Sequence, residues 1–176
     1  MGDRLKVVLI LCLLFGLFVP SADAANINEV NQVFSVPKYR NLSIFSDKAI
    51  ERSDIYDNKN VKIIVAFASW CPSCKGYIKE LNKIKKKLNN DIWGVAVSDN
   101  PILVRDLFNK QGSPFKYVSI DKAGKTLLKN SKSKAIPQTF LIDKKGVLRY
   151  IFVGDLDEDD WFDDLMPKFE ELNREL

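Results

Sequence analysis

The chain has no histidine in its 176 residues and only three cysteines, Cys12, Cys71 and Cys74. Without histidine, and without a second cysteine pair, the ligand set of a zinc site cannot be assembled around the Cys71-x-x-Cys74 spacing. Lys75 follows Cys74, so the pattern for covalent haem attachment fails too. Neither sign of charge dominates: 27 Lys and Arg against 23 Asp and Glu leave +4, too slight a surplus to argue for nucleic acid. Long apolar stretches are confined to residues 7–19, and no linker, repeat or low-complexity tract divides the remainder, which suits one domain with a real core. No metal and no cofactor is expected from this inventory.

What the chain does have is Trp70-Cys71-Pro72-Ser73-Cys74, set between an apolar run and a lysine-rich amphipathic stretch. With zinc and haem set aside, a redox dithiol is what remains. Residues 1–24 read as a secretory leader: Arg4 and Lys6 give the positive start, residues 7–19 the apolar stretch, and Ala22-Asp23-Ala24 a small-residue cleavage site. Thirteen apolar residues at about 1.5 Å each cover roughly 20 Å, short of the roughly 30 Å hydrocarbon core, but a span from Leu5 into residues 20–25 could cross it. Two outcomes stay open: a soluble periplasmic protein cleaved near Ala24, or one anchored in the inner membrane by a tether through residues 5–24. In both, residues 25–176 form the working domain. Cys12 fills hydrophobic volume in the leader.

Residues 61–68, VKIIVAFA, are the nearly continuous β-rich run of a strand buried on both faces. Cys71 falls where this strand gives way to a helix, with Pro72 in the first turn, where a missing N–H costs nothing. Ile78, Leu81, Ile84 and Leu88 share one helical face with Tyr77, while Lys79, Lys83, Lys86 and Lys87 form a solvated opposite face. Residues 92–97 give a second strand and Asp99-Asn100-Pro101 opens a second helix; strand, helix and strand make a right-handed parallel crossover. A short strand is expected at residues 117–120 and a short helix at 122–130. Residues 139–142 and 147–153 read as an antiparallel hairpin turning at Asp143-Lys144-Lys145-Gly146. Trp161, Phe162, Leu165, Met166, Phe169 and Leu172 line one face of a last helix that packs on the sheet, with the acidic residues 157–160 capping its start. Residues 26–59 show little periodicity and suggest at most a short hairpin.

A thiolate attacks in disulfide exchange, and the free N–H groups of a helix N-terminus stabilise one. Cys71 has that position and is expected to be the exposed nucleophile, with Cys74, one turn inside, resolving the mixed disulfide. Pro137 stands alone before a strand. It is either an ordinary strand-start proline or part of a cis Ile136-Pro137 bond that exposes backbone groups beside Cys71.

Strand, WCPSC, helix, crossover, Ile136-Pro137 and hairpin together resemble a thioredoxin-like protein, an α/β fold with a central mixed β-sheet flanked by helices. Phe67-Ala68-Ser69-Trp70-Cys71-Pro72-Ser73-Cys74, Pro137-Gln138-Thr139-Phe140-Leu141-Ile142-Asp143 and Gly154-Asp155-Leu156 resemble more particularly the DsbE or CcmG group of cytochrome c maturation reductases, in the TlpA-like superfamily. Gly112-Ser113-Pro114-Phe115, and Trp161 with Pro167, fit the same group, and the likeness runs from about Phe34 to the C-terminus. The resemblance implies a cis Pro137, a redox-active Cys71–Cys74 disulfide and a substrate surface made by Trp70, Pro72, Ile136 and Pro137. It implies as substrate apocytochrome c, through its CxxCH segment, or a cytochrome c maturation factor, and as electron source a membrane thiol reductant of the DsbD/CcdA type.

Three positions depart from the pattern. An acidic residue commonly follows the motif proline, where this chain has Gln138, and another lies three residues after the second cysteine, where it has Tyr77. The buried aspartate of thioredoxin is matched by Val65. The proton acceptor for Cys74 is therefore open, with water and Glu80 as candidates. The departures keep alternative functions in view: a general TlpA-like reductase, a DsbA-like oxidant of secreted proteins, or a non-catalytic thioredoxin-like binding module with a permanent disulfide.

Overall fold

In the computed structural model, which describes residues 26–34, 59–123 and 127–175, the central strand is β2 (Lys62–Phe67). It pairs in parallel with β3 (Ile92–Val97) and antiparallel with β5 (Gln138–Ile142). Every residue of β2 and β3 is buried, as an unbroken apolar run requires when a strand is covered on both faces. β4 (Tyr117–Asp121) continues the parallel side, and β6 (Val147–Val153) and β1 (Asn26–Val33) the antiparallel side, in the order β1-β6-β5-β2-β3-β4. The result is the mixed α/β sheet that the element order implied.

α1 (Pro72–Ile84) leaves the end of β2 and buries Cys74, Tyr77, Ile78, Leu81 and Ile84, leaving Lys79, Lys83, Lys86 and Lys87 exposed. α2 (Pro101–Gln111) is capped by Asn100, whose Oδ1 accepts the Ile102 N–H at 2.8 Å; Pro101 beside it has no N–H to satisfy. The crossovers β2-α1-β3 and β3-α2-β4 advance in the same direction, so α1 and α2 lie on one sheet face, sharing its core with Trp161, Phe169 and Leu172 of the last helix. Phe67, Phe108 and Phe115 meet there with ring centroids 5.1–5.9 Å apart. Gly94 makes this possible, because a Cβ at that point of β3 would stand 2.7 Å from the Phe115 ring.

The hairpin closes as expected. Gly146 has φ 78°, and the Asp143 carboxylate accepts the N–H groups of Lys145 and Val147 at 2.9 and 2.8 Å. Gly154, at φ 110°, ends β6 and donates its N–H to the Pro137 carbonyl at 3.0 Å, tying the hairpin to the proline loop.

Two local expectations are corrected, and a third, the short hairpin within residues 26–59, falls largely outside the described residues. β1 forms no local hairpin among the described residues; it pairs at the sheet edge with β6, a distant partner that local periodicity cannot report, and residues 35–58 lie outside the described residues. The helix expected at 122–130 is one 3-10 turn, Leu128–Asn130, with residues 124–126 outside the described residues. Asn130 turns its amide onto the Leu127 carbonyl at 2.9 Å, a side-chain bond that competes with helix propagation. The last helix has a π-helical turn, Asp160–Leu165, before α3 (Met166–Arg174). Pro167 removes the N–H that an α-helix would give to Asp163, and the ladder widens there. Asp157 and Asp160 each accept the other's N–H, at 2.9 and 3.0 Å, in a reciprocal cap. The expected leader lies outside the described residues, among which no helix is long and apolar enough to cross a membrane.

Candidate active site

Beyond β2 the Cys71 N–H donates to the Ala68 carbonyl at 3.2 Å, and Cys71 stays extended, at φ −85° and ψ 120°, before the helix begins. Its Sγ accepts the Cys74 N–H at 3.4 Å, taking the place that a serine or aspartate oxygen has in an ordinary N-cap. A sulfur that accepts an otherwise unpaired helix N–H is well placed to carry negative charge. Across from it, the Ile136 carbonyl lies 3.7 Å from Cys71 Sγ, and the Ile136–Pro137 bond is cis, which selects between the two readings of that proline.

Both cysteines are free thiols. Cys71 is 7% exposed and Cys74 fully buried, so their order is as expected, but Cys71 is much less open than a helix-start position suggests. The Ile136 loop faces it, and Trp70, 57% exposed, takes the outer position. Of the expected substrate surface, Pro72 is exposed, Ile136 half-buried and Pro137 buried, so Pro137 shapes the loop from beneath.

Burial pushes the Cys74 thiol well above the usual range, and its hydrogen bond and charge interaction with Cys71 push the same way. No carboxylate among the described residues acts on it. Val65 is core, and Glu80 turns outward to Lys83 Nζ at 2.7 Å, which removes it as the proton acceptor. The polar groups in this region are hydroxyls. Tyr77 and Thr139 bond at 2.8 Å, Thr139 standing opposite Val65 in the β2–β5 register, and burial holds the Tyr77 phenol protonated far above its ordinary range. Gln138, fully buried, donates from Nε2 to the carbonyls of Ser133 at 3.1 Å and Ala135 at 2.5 Å. A carboxylate has no N–H to give, so the amide here holds the proline loop in place.

A second clamp goes beyond what the sequence motifs reveal. The Ser69 N–H and hydroxyl both donate to the Asp99 carboxylate, at 2.5 and 2.8 Å, and the Trp70 indole N–H donates to the Ser98 carbonyl at 3.2 Å. In the sequence Asp99 reads only as a helix-start residue. The signal that could have found the clamp is the parallel pairing of the two expected strands, which brings residues just past β2 beside those just past β3.

A dithiol that caps a helix and faces a cis-proline loop at the end of a mixed sheet defines a thioredoxin-like thiol:disulfide oxidoreductase. The family profile described as Redoxin matches residues 44–165. The thiol:disulfide interchange protein DsbE of Vibrio cholerae is 31% identical over 142 residues, spanning 78% of this chain and 73% of the relative. That of Tatumella citrea is 28% identical over 153 residues, spanning 86% and 78%. The chain belongs to the Redoxin family, among the DsbE thiol:disulfide interchange proteins. A secreted thiol-disulfide isomerase from Corynebacterium glutamicum has the same fold, with TM-score 0.59 and 18% identity over 82% of this chain and 85% of that one.

Proposed function

We propose that Cys71 is the nucleophile and Cys74 the resolving cysteine of a periplasmic reductase, whose substrate is the disulfide in the CxxCH segment of apocytochrome c or in a factor that handles it. The observation that carries the chemistry is the Cys71 sulfur held between the Cys74 N–H and the Ile136 carbonyl. The DsbE relatives, the Pro137–Asp143 and Gly154-Asp155-Leu156 segments and the leader-like pattern of residues 1–24 support the narrower substrate and compartment.

The Cys71 thiolate attacks one sulfur of the partner disulfide. A Cys71–partner bond forms, the partner S–S bond breaks, and the released partner thiolate takes up a proton. Two of the causes that raise the Cys74 thiol come from Cys71 itself, and they disappear once that sulfur is bonded to the partner. Cys74 then attacks Cys71 Sγ, the mixed disulfide breaks, and the second partner thiol leaves with a proton. The partner has gained two electrons and two protons, the protein holds a Cys71–Cys74 disulfide, and a membrane dithiol reductant resets it.

The test is a Cys74→Ser chain expressed in the periplasm, which stalls at the mixed disulfide. Apocytochrome c or its handling factor, trapped through a CxxCH peptide, is expected by mass spectrometry of the non-reduced adduct; capture of unrelated secreted proteins alone would overturn the substrate assignment. A reduction potential at or below about −200 mV fits a reductase, and one near −120 mV marks an oxidant instead. Gln138 and Tyr77, an amide and a phenol where the group carries acids, favour as second reading a TlpA-like reductase of wider range.

A further inference from the structure

Beside the dithiol lies a groove of about 550 Å³, walled on one side by Trp70 and on the other by the segment leading into Pro137. Leu128 and Ile136 give it an apolar floor, and Lys129, Lys132 and Lys134 line it; among the described residues no carboxylate does. All three lysines are exposed, and among the described residues none has a carboxylate partner. Lys83, Lys87, Lys116 and Lys168 elsewhere on the surface each have one. Of the acids on adjoining segments, Asp99 accepts from Ser69 and Asn100, Asp121, 3% exposed, accepts the Leu127 N–H, and Glu29 of β1 lines a neighbouring hollow with Lys129 and Lys132 without bonding to either.

The lysines face outward for a reason that lies in their own segment, Lys129-Asn130-Ser131-Lys132-Ser133-Lys134. The intervening polar side chains bond back to the loop. Asn130 donates to the Leu127 carbonyl at 2.9 Å, Ser131 Oγ accepts the Ser133 N–H at 3.1 Å, and Ser133 Oγ accepts the Ala135 N–H at 3.1 Å. Gln138 pins the same loop from beneath through the Ser133 and Ala135 carbonyls. The ammonium groups are thus presented by a braced loop, and the Ile136 carbonyl at its end faces Cys71 Sγ.

We propose that this groove docks an acidic stretch of the partner polypeptide, one carrying an apolar residue for the floor, next to the disulfide that Cys71 attacks. The proposal rests on the reductase reading and adds the charge of its partner. Exposed lysines with no carboxylate partner among the described residues, set around an apolar floor, complement carboxylates. The concave shape, bounded by Trp70 next to Cys71 and by Ile136, whose carbonyl faces the Cys71 sulfur, suits a chain segment rather than a flat lipid surface.

Two peptides of one length test it, each with a central CxxC flanked either by Asp and Glu or by Lys, and prepared both as the disulfide and with serines for the cysteines. Binding of the serine peptides to the native chain is read from Trp70 fluorescence, since Trp93 and Trp161 are buried, with Trp70→Phe as the optical control. The acidic peptide is expected to bind about tenfold tighter at low salt, the product of three exposed ion pairs worth roughly twofold each. The margin should shrink at high salt and reverse in the K129E/K132E/K134E chain. With the disulfide peptides, the same ratio is expected in kcat/KM. Equal binding of the two peptides, a preference that survives in the triple variant, or lysine-dependent binding confined to anionic vesicles overturns the proposal. Failure of the native chain to reduce the neutral bis(2-hydroxyethyl) disulfide is a separate result: it overturns the reductase reading, while the serine peptides still decide the groove.

Discussion

Replacing Gln138 by glutamate changes one nitrogen to oxygen in a side chain that the structure buries completely, at the point where the chain departs from the acidic residue common in its group. The amide donates two hydrogen bonds, to the Ser133 and Ala135 carbonyls. A protonated glutamic acid can keep one of them and an ionised one neither, so the two carbonyls would then face a carboxylate with no water between. At pH 4 the expected loss is one neutral hydrogen bond, about 1 kcal/mol; at pH 7.5 it is both bonds plus the mutual exposure of buried acceptors, about 3 kcal/mol. The folded Q138E variant therefore keeps its new carboxyl group protonated to higher pH than the unfolded chain does, its pKa raised above the unfolded value. A group with a raised folded pKa binds more protons folded than unfolded, so stability falls as pH climbs above the ordinary glutamate range, by up to about 1.4 kcal/mol per pH unit, until the folded-state value is passed. Urea denaturation of the reduced protein at the two pH values reads this directly. With a slope of about 2 kcal/mol per M, the midpoint should drop by about 0.5 M at pH 4 and about 1.5 M at pH 7.5 relative to the parent. A Gln138→Met chain, which loses both bonds at every pH, should show one constant deficit. An equal deficit for Q138E at both pH values would refute the latch.

Tyr77→Phe strands the buried Thr139 hydroxyl and is expected to cost about 1–2 kcal/mol, whereas the double variant Tyr77→Phe/Thr139→Val removes both partners and should cost less than the two single changes summed, by about 1 kcal/mol in a denaturation cycle. Additive single costs would show that the hydroxyl pair contributes nothing as a pair. Gly94→Ala places a methyl 2.7 Å from the Phe115 ring and should lower stability by about 1–3 kcal/mol, with part of that recovered in a Gly94→Ala/Phe115→Leu chain; no recovery would place the strain elsewhere.

Much of the fold was legible because its signals are local. Residues 61–68 and 92–97 are apolar almost without interruption, and both hold strands buried on both faces. Pro72, Pro101 and Gly146 each stand where a missing N–H or a positive φ is needed, and they mark helix starts and the hairpin turn. The dithiol is local too, since Cys71 caps the helix that Cys74 belongs to. What was illegible joins distant residues. β1 takes its order from β6, Ser69 from Asp99, and Glu80 is drawn away from Cys74 by Lys83, one turn further along the outer face. The stretch 122–130 misled for a related reason: its composition permits a helix, but Asn130 and Ser131 bond their own backbone instead.

Gln138 and the three groove lysines act on one loop. An ionised carboxylate at position 138 could not hold the Ser133 and Ala135 carbonyls, so the braced loop that presents Lys132 and Lys134 requires the amide. The amide puts no charge beneath the proline loop, and the lysines put positive charge on its outer side. Tyr77 adds no charge either, since its phenol stays neutral through burial. Among the described residues, the surroundings of the dithiol therefore combine neutral groups beneath the loop with lysines outside it, around the sulfur, the helix cap and the cis-proline loop. On the proposed mechanism, attack on a disulfide depends on the sulfur, its cap and the proline loop, and on the proposed docking the choice of which polypeptide to attack depends on the lysines beside them.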